Sequence, residues 1–146
     1  MSDHKLGDLL RDGFGIEEDL NCAEKILYGA NRVYQLGLER DALKLSAGFG
    51  GGMGIEDKCG VLTASIMVLG NLFVQERAHE SGKIKELVRE LFSSYAEQMG
   101  DIDCAPLKER HYSEDQKCQS IIIKAGELLD EIVTRERSKN NNFNQE

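Results

Sequence analysis

Four cysteines are the residues of this 146-residue chain best suited to chemistry: Cys22, Cys59, Cys104 and Cys118. No two of them form a Cys-x-x-Cys pair, so their spacing alone does not predict a zinc or iron–sulfur site. Thiols can also cycle between the dithiol and disulfide states, or serve as small buried core residues. Spacing leaves all of these uses open.

A glycine run precedes the second cysteine. Residues 48–54 read Gly-Phe-Gly-Gly-Gly-Met-Gly, which places five of the fifteen glycines within seven positions. This density indicates a backbone that needs positive φ angles or that another group approaches closely. It fits neither G-x-G-x-x-G nor the P-loop, so nucleotide binding by those routes is not predicted. A loop that leads into a helix N-terminus can still bind an anion or let a cofactor lie on bare backbone. A tight crossing against a neighbouring helix is the alternative.

The element that follows the glycine run is an uncharged segment from Cys59 to Leu69. A helix that is apolar on every side belongs in the middle of a bundle. We predict that Asp57 caps this helix and that it runs to about Glu76. Cys59 would then lie in the first turn, where the helix dipole and unpaired amides favour a thiolate. We therefore predict that Cys59 has the lowest pKa of the four thiols.

The other elements are also predicted to be helical. Apolar residues at three- and four-residue steps predict helices over residues 4–12, from Asp19 or Asn21 to Gly37, over 41–47 and over 81–100. A capping-box pattern at Ser113 and Gln116 predicts a last helix, and Pro106 indicates a loop over residues 101–112. Nothing alternates at period two. The fold class is therefore all-α: a compact bundle of four to five main helices, with a glycine-rich loop before a buried central helix.

One domain is predicted from the length and from the apolar content of 40%. It covers residues 1–134, with its core at 20–134. From residue 135 the apolar period is lost, which predicts a disordered tail over residues 135–146.

Charge and hydropathy exclude some classes of partner. The chain has 26 acidic and 18 basic residues and a net charge of −8, which would repel phosphate backbones and anionic lipids. No signal-peptide core or bilayer-spanning run is present. We therefore predict a cytoplasmic protein with no nucleic-acid partner and no membrane insertion. In a reducing compartment, cysteines are more often kept for metal or redox chemistry than for permanent disulfides.

Predicted helix starts could bring the four cysteines together. Cys22, Cys59 and Cys118 each lie near the start of a helix, and Cys104 lies in the loop before the last one. If three helix N-termini meet at one end of the bundle, their dipoles favour anionic sulfur there. His111 is close in sequence, but a solvated loop histidine is the preferred interpretation over a metal ligand.

The segments that carry these cysteines resemble a known family. Cys22-Ala23-Glu24, the run from Leu45 to Gly54, Cys59-Gly60, Met67 to Gly70, Cys104 and Cys118 are similar to the C_GCAxxG_C_C family, over roughly residues 20–133. The resemblance implies a small helical protein that is redox active or binds a cofactor. It implies that the site contains the four cysteines and that Gly50, Gly51, Gly52, Gly54 and Gly60 bind a cofactor. This chain carries Val61 and Ala64 where the family usually has Ala and Gly.

Two functions remain open at this point. In the first, Cys22, Cys59, Cys104 and Cys118 are catalytic thiols, or metal ligands for an iron–sulfur cluster or zinc. The protein would then be an oxidoreductase or electron carrier that acts with a redox partner protein or a small-molecule substrate. In the second, the protein is a non-catalytic helical binding module whose cysteines are structural or bind zinc. The sequence does not determine the metal, the substrate or whether the chain forms a homo-oligomer.

Overall fold

The structure, a computed structural model, describes residues 5–144, with the side chains of residues 5–139. This part of the chain is all-α, as predicted. It contains seven α-helices and no β-strand: α1 (Leu6–Arg11), α2 (Cys22–Val33), α3 (Arg40–Leu43), α4 (Gly60–Phe73), α5 (Lys83–Met99), α6 (Cys104–His111) and α7 (Gln119–Asn144). The four longest are α2, α4, α5 and α7, with 12, 14, 17 and 26 residues. They account for the predicted main helices.

Helix α4 is the centre of the bundle. It packs against α2, α5 and α7, and Val61, Leu62, Val68 and Leu69 on it are fully buried. The Ser65 hydroxyl donates to the Val61 carbonyl at 2.6 Å, so its burial leaves no polar group unpaired. The prediction of a buried central helix is confirmed. Neither α4 nor any other helix within residues 5–144 is long and apolar enough to cross a membrane.

Helix α1 lies in a groove between α2 and α7. A Cβ atom at Gly29 of α2 would lie 2.8 Å from Leu6, and one at Gly126 of α7 would lie 2.7 Å from Leu10. These distances are below van der Waals contact, so the two glycines create the space that α1 occupies. The predicted helix at 4–12 is therefore present, although residue 4 lies outside the described residues.

The region before α7 differs from the prediction. Residues 101–112 were predicted to be a loop because of Pro106, but α6 occupies Cys104–His111. Proline is tolerated in the first turn of a helix because the amide missing there needs no intrahelical partner. The predicted hydrogen bond between Ser113 Oγ and the Gln116 amide forms at 3.0 Å. It closes a turn, however, and α7 begins only at Gln119.

The C-terminal end also differs. A disordered tail was predicted from residue 135, but α7 continues to Asn144. Glu136 is buried on this helix and forms ion pairs with Lys83, Arg135 and Lys139 at 2.7, 2.9 and 3.2 Å. Sequence periodicity detects apolar faces, so it does not detect a helix extended by an ionic cluster. Residues 145 and 146 lie outside the described part of the chain.

Candidate functional site: a pocket lined by four cysteines

All four cysteines lie at the starts of helices. Cys22 is the first residue of α2 and Cys104 is the first residue of α6, while Cys59 is the N-cap of α4 and Cys118 directly precedes α7. All four line one pocket of about 840 Å³, and all are free thiols. The sequence predicted three helix starts at this end, with Cys104 in a loop. The structure brings four helix starts together.

Backbone pairing fixes the positions of Cys59 and Cys104. The segment around Cys59 runs antiparallel to the segment around Cys104, and the two exchange backbone hydrogen bonds of 2.9 and 2.6 Å. The residues at the centre of this pairing, Lys58 and Asp103, form an ion pair of 2.8 Å. Because side chains alternate along extended backbone, both cysteines lie on the other face from this ion pair, toward the pocket.

Gly60 allows Cys22 to lie beside the start of α4. A Cβ atom at position 60 would stand 2.9 Å from the Cys22 sulfur and 2.6 Å from the Phe49 carbonyl oxygen. Only glycine fits between these two groups without displacing one of them. The Cys59-Gly60 pair therefore places one thiol at the helix start and makes room for a second thiol next to it.

Asn21 joins helix α2 to the glycine run. Its Oδ1 accepts from the Glu24 amide at 2.9 Å, and the Glu24 carboxylate accepts from the Asn21 amide at 2.8 Å, which completes a capping box. Its Nδ2 also donates to the Ala47 carbonyl at 2.9 Å. A Cβ atom at Gly50 would collide with this side-chain amide. Gly50 thus positions the residue that precedes Cys22.

The other predicted glycines differ from one another. Gly51 lines the pocket with a φ of 65°. Gly52 has a φ of 61°, and a Cβ atom on it would lie 2.8 Å from the Cys104 Cβ atom and closer still to the Asp57 backbone. Gly54 is exposed, with nothing within 4 Å of its Cβ position. Within the glycine run, Gly51 therefore lines the pocket, and Gly52 packs against the Cys104 side chain.

Burial separates the thiols into two pairs. Cys59 and Cys104 are 4% and 6% exposed, whereas Cys22 and Cys118 are half-buried. Burial raises the pKa of Cys59 to about 12, which outweighs the lowering effect of the Val61 backbone amide. The predicted low pKa of Cys59 is therefore wrong. The sequence showed a position at a helix start but not its depth.

The four thiols affect one another electrostatically. Burial raises the pKa of Cys104 and of Cys118, and the Lys108 ammonium lowers both. Negative charge on Cys22 raises the pKa of Cys59, Cys104 and Cys118 alike, and charge on Cys104 or Cys118 also raises the pKa of Cys59. All four sulfur atoms are therefore within electrostatic reach of one another.

The positions of the possible ligand side chains decide whether a metal ion can bind. Among the residues that the structure describes, no set of three or more Cys, His, Asp or Glu side chains is placed to hold a metal ion. The His111 Nε2 atom lies 2.9 Å from the Met99 carbonyl oxygen. His111 is not part of the pocket lining. The four cysteines of the described residues are therefore not arranged as ligands of a metal ion.

One protein family matches this chain. Its profile, described as "Putative redox-active protein (C_GCAxxG_C_C)", covers residues 20–132. The chain belongs to this family. The match includes all four cysteines and agrees with the resemblance noted in the sequence. No curated protein and no solved structure matches the chain.

Several residues of the pocket were not predicted. Lys25 and Lys108 line it, and they follow Cys22 and Cys104 by three and four residues. Residues at these spacings share a helix face, so Lys25 could have been found, whereas Lys108 was hidden by the predicted loop.

Tyr95 is fully buried, and its hydroxyl donates to the Ile121 carbonyl at 3.0 Å. Burial and nearby thiol charges raise its pKa, which places it close to the sulfur atoms.

Residues before the family match also contribute to the site. Arg11 at the end of α1, and Asp12 and Ile16 in the turn that follows, line the pocket. The Gln119 side-chain amide donates to the Leu10 carbonyl at 2.9 Å. This bond ties the end of α1 to the start of α7, one residue after Cys118. The N-terminal segment is thus one wall of the pocket.

Proposed function

We propose that this protein is a dithiol–disulfide redox protein in which Cys22 is the attacking thiol and Cys59 closes the disulfide. The observation that carries the proposal is the convergence of four free thiols on one pocket, where Cys22 is half-buried and Cys59 is buried. Gly60 supports the choice of Cys59, because it makes room for the Cys22 sulfur beside the start of α4.

The reaction balances as two thiol–disulfide exchanges. The Cys22 sulfur attacks one sulfur of an oxidised disulfide substrate and forms a mixed disulfide, while the other half leaves as a thiol that takes up the Cys22 proton. The Cys59 sulfur then attacks Cys22 and releases the second half, which takes up the Cys59 proton. The two protein thiols lose two electrons and form one disulfide. The substrate disulfide gains them and becomes two thiols.

Burial gives the two thiols different roles. Cys22 is half-buried on the pocket, so an incoming disulfide can reach its sulfur. Cys59 is buried and keeps its proton at neutral pH because burial raises its pKa to about 12. Because its sulfur is buried, it reacts with a disulfide already formed on Cys22 rather than with one in solution, and its proton passes to the departing sulfur. Cys104 and Cys118 line the same pocket and provide a second pair that can exchange with the first disulfide.

Oxidation of variants in which one cysteine is replaced by serine tests these roles. The reduced protein is treated with diamide, an oxidant of thiols, and unreacted thiols are then alkylated and counted by mass spectrometry. Cys22→Ser should leave Cys59 reduced, whereas the matched variant Cys118→Ser should still lose both Cys22 and Cys59 thiols. Folded protein that keeps all four thiols reduced would instead support the structural, non-catalytic function.

Metal analysis after anaerobic purification tests the remaining alternative. The proposal expects no stoichiometric zinc or iron and no visible absorbance, together with four thiols that can be alkylated after unfolding. An iron–sulfur cluster absorbs visible light, while bound zinc would appear in elemental analysis and protect its ligand thiols. Either result at one metal site per chain would contradict the dithiol function.

A further inference from the structure

The depth of the sulfur atoms limits what can react with them. Cys59 and Cys104 are almost completely buried, and the pocket in front of them is bounded by exposed side chains such as Ile16 and Tyr112. A disulfide on the convex surface of a folded protein cannot enter such a space. The pocket volume of about 840 Å³ instead lies within the range of about 300 to 1,000 Å³ found for small-molecule sites.

Two half-buried lysines line the pocket beside the thiols. Lys25 and Lys108 are half-buried in its lining, and their ammonium groups lower the pKa of Cys118 against the effect of burial. The Lys25 stem is held by the close approach of Gly15, where a Cβ atom would lie 2.8 Å from Lys25 Cγ. Its ammonium lies 3.5 Å from the neutral side-chain oxygen of Gln119, so that contact leaves its charge uncompensated.

The acidic side chains near the pocket are either exposed or already paired with a basic residue. Asp12, Asp19 and Asp115 line it but are exposed at its rim. Glu56 is paired with Lys108 at 3.2 Å. Of the four basic side chains in the lining, Arg11 and Lys108 are ion-paired and Lys117 is exposed. Lys25 is therefore the half-buried one that can interact with a bound anion without breaking an ion pair in the described part of the chain. A half-buried cation in a cleft attracts anionic ligands, even in a protein of net negative charge.

We propose that the pocket takes a low-molecular-weight disulfide that carries carboxylate groups, with Lys25 as the residue that selects the negative charge. This inference rests on the proposed dithiol function and adds the class of substrate. The disulfide bond enters the pocket toward Cys22 and Cys59, and a carboxylate of the same molecule faces the Lys25 ammonium.

The test compares three small disulfides that differ mainly in charge: dianionic 3,3′-dithiodipropionate, neutral 2-hydroxyethyl disulfide and dicationic cystamine. For each compound, the rate of thiol loss from the reduced protein is measured. This rate is then divided by the rate at which the same compound reacts with dithiothreitol in the same buffer. The dianion should react on the order of tenfold faster than the dication on this scale. Lys25→Gln should reduce that ratio several-fold, and the control Lys85→Gln, on the exposed face of α5, should not.

The outcomes separate the substrate class from the dithiol function. Equal rates for the three compounds, or preference for cystamine, would overturn the carboxylate assignment. A folded protein disulfide that reacts faster than all three would overturn the small-molecule assignment. In both cases a Cys22–Cys59 disulfide formed with diamide would leave the dithiol function standing. If diamide forms no disulfide in the folded protein, the function and the inference both fail.

Discussion

The middle and the start of α7 bury polar side chains in different ways. Asp130 is 5% exposed, and its carboxylate accepts hydrogen bonds from the Leu6 amide at 2.8 Å, the Gly7 amide at 2.9 Å and the Tyr34 hydroxyl at 2.6 Å. It thereby satisfies the first amides of α1. Cys118, twelve residues earlier and about 18 Å away along the helix, instead joins three other thiols around an open pocket.

The comparison distinguishes a structural polar site from a reactive one. Every oxygen of Asp130 has a donor, and burial together with the carboxylate raises the pKa of Tyr34, so its hydroxyl remains a donor. At the start of α7, the thiols instead border the space of the pocket. A buried group with all its partners stabilises the fold, whereas a buried thiol beside a pocket stays available for reaction.

Removal of Asp130 should have the largest effect on stability. Asp130→Ala leaves two amides and one hydroxyl without acceptors, and each unmade buried hydrogen bond costs about 1 to 3 kcal/mol. We expect a loss of about 3 kcal/mol or more in the free energy of unfolding in urea, and a smaller loss for Tyr34→Phe. The folded fraction should form the Cys22–Cys59 disulfide at the normal rate. A large change in that rate would show that the Asp130 site and the thiol pocket are coupled.

Gly60→Ala should affect both stability and thiol chemistry. A methyl group there meets the Phe49 carbonyl and the Cys22 sulfur, and overpacking of this kind costs about 1 to 3 kcal/mol. Displacement of Cys22 should slow disulfide closure at least several-fold. The matched control is Gly70→Ala on the same helix, where nothing lies within 4 Å of the new Cβ atom. Gly70→Ala should leave closure unchanged, and equal behaviour of the two variants would contradict the role of Gly60.

The raised pKa of Cys59 predicts a pH effect of known sign. An unfolded thiol titrates near ~8.5, whereas folded Cys59 titrates at about 12. Between these values the unfolded state has lost the proton and the folded state keeps it, so stability falls as pH rises. Under reducing conditions, the unfolding free energy of the native sequence should fall more steeply above pH 9 than that of Cys59→Ala, by up to ~1.4 kcal/mol per pH unit. Parallel curves would contradict the burial argument.

The smallest predicted effect concerns the glycine run. Gly51 has positive φ but open space around its Cβ position, so Gly51→Ala should cost about 1 kcal/mol through backbone strain alone. Gly51 also lines the pocket, and the new methyl should slow the reaction with 3,3′-dithiodipropionate. Exposed Gly54→Ala carries the same backbone cost and should not slow it. Equal reaction rates for the two variants would remove Gly51 from the substrate site.

Local patterns predicted the helices but not the depth or the neighbours of the site residues. The apolar stripe on α5 and the capping box of α2 each depend on residues that are close together in the sequence. Both helices could therefore be predicted. The contact between Gly60 and Cys22, the burial of Cys59 and the partners of Asp130 join segments that are far apart in the chain. Helix α6 was missed because proline is compatible both with a loop and with the first turn of a helix.

Disulfide mapping of the oxidised native protein tests the central claim most directly. The reduced protein is oxidised briefly with diamide, free thiols are alkylated, and the digested peptides are identified by mass spectrometry without reduction. The account predicts a peptide that joins Cys22 to Cys59 as the first product. An alkylated Cys22 accompanied by any other disulfide, or four alkylated thiols in folded protein, would contradict it.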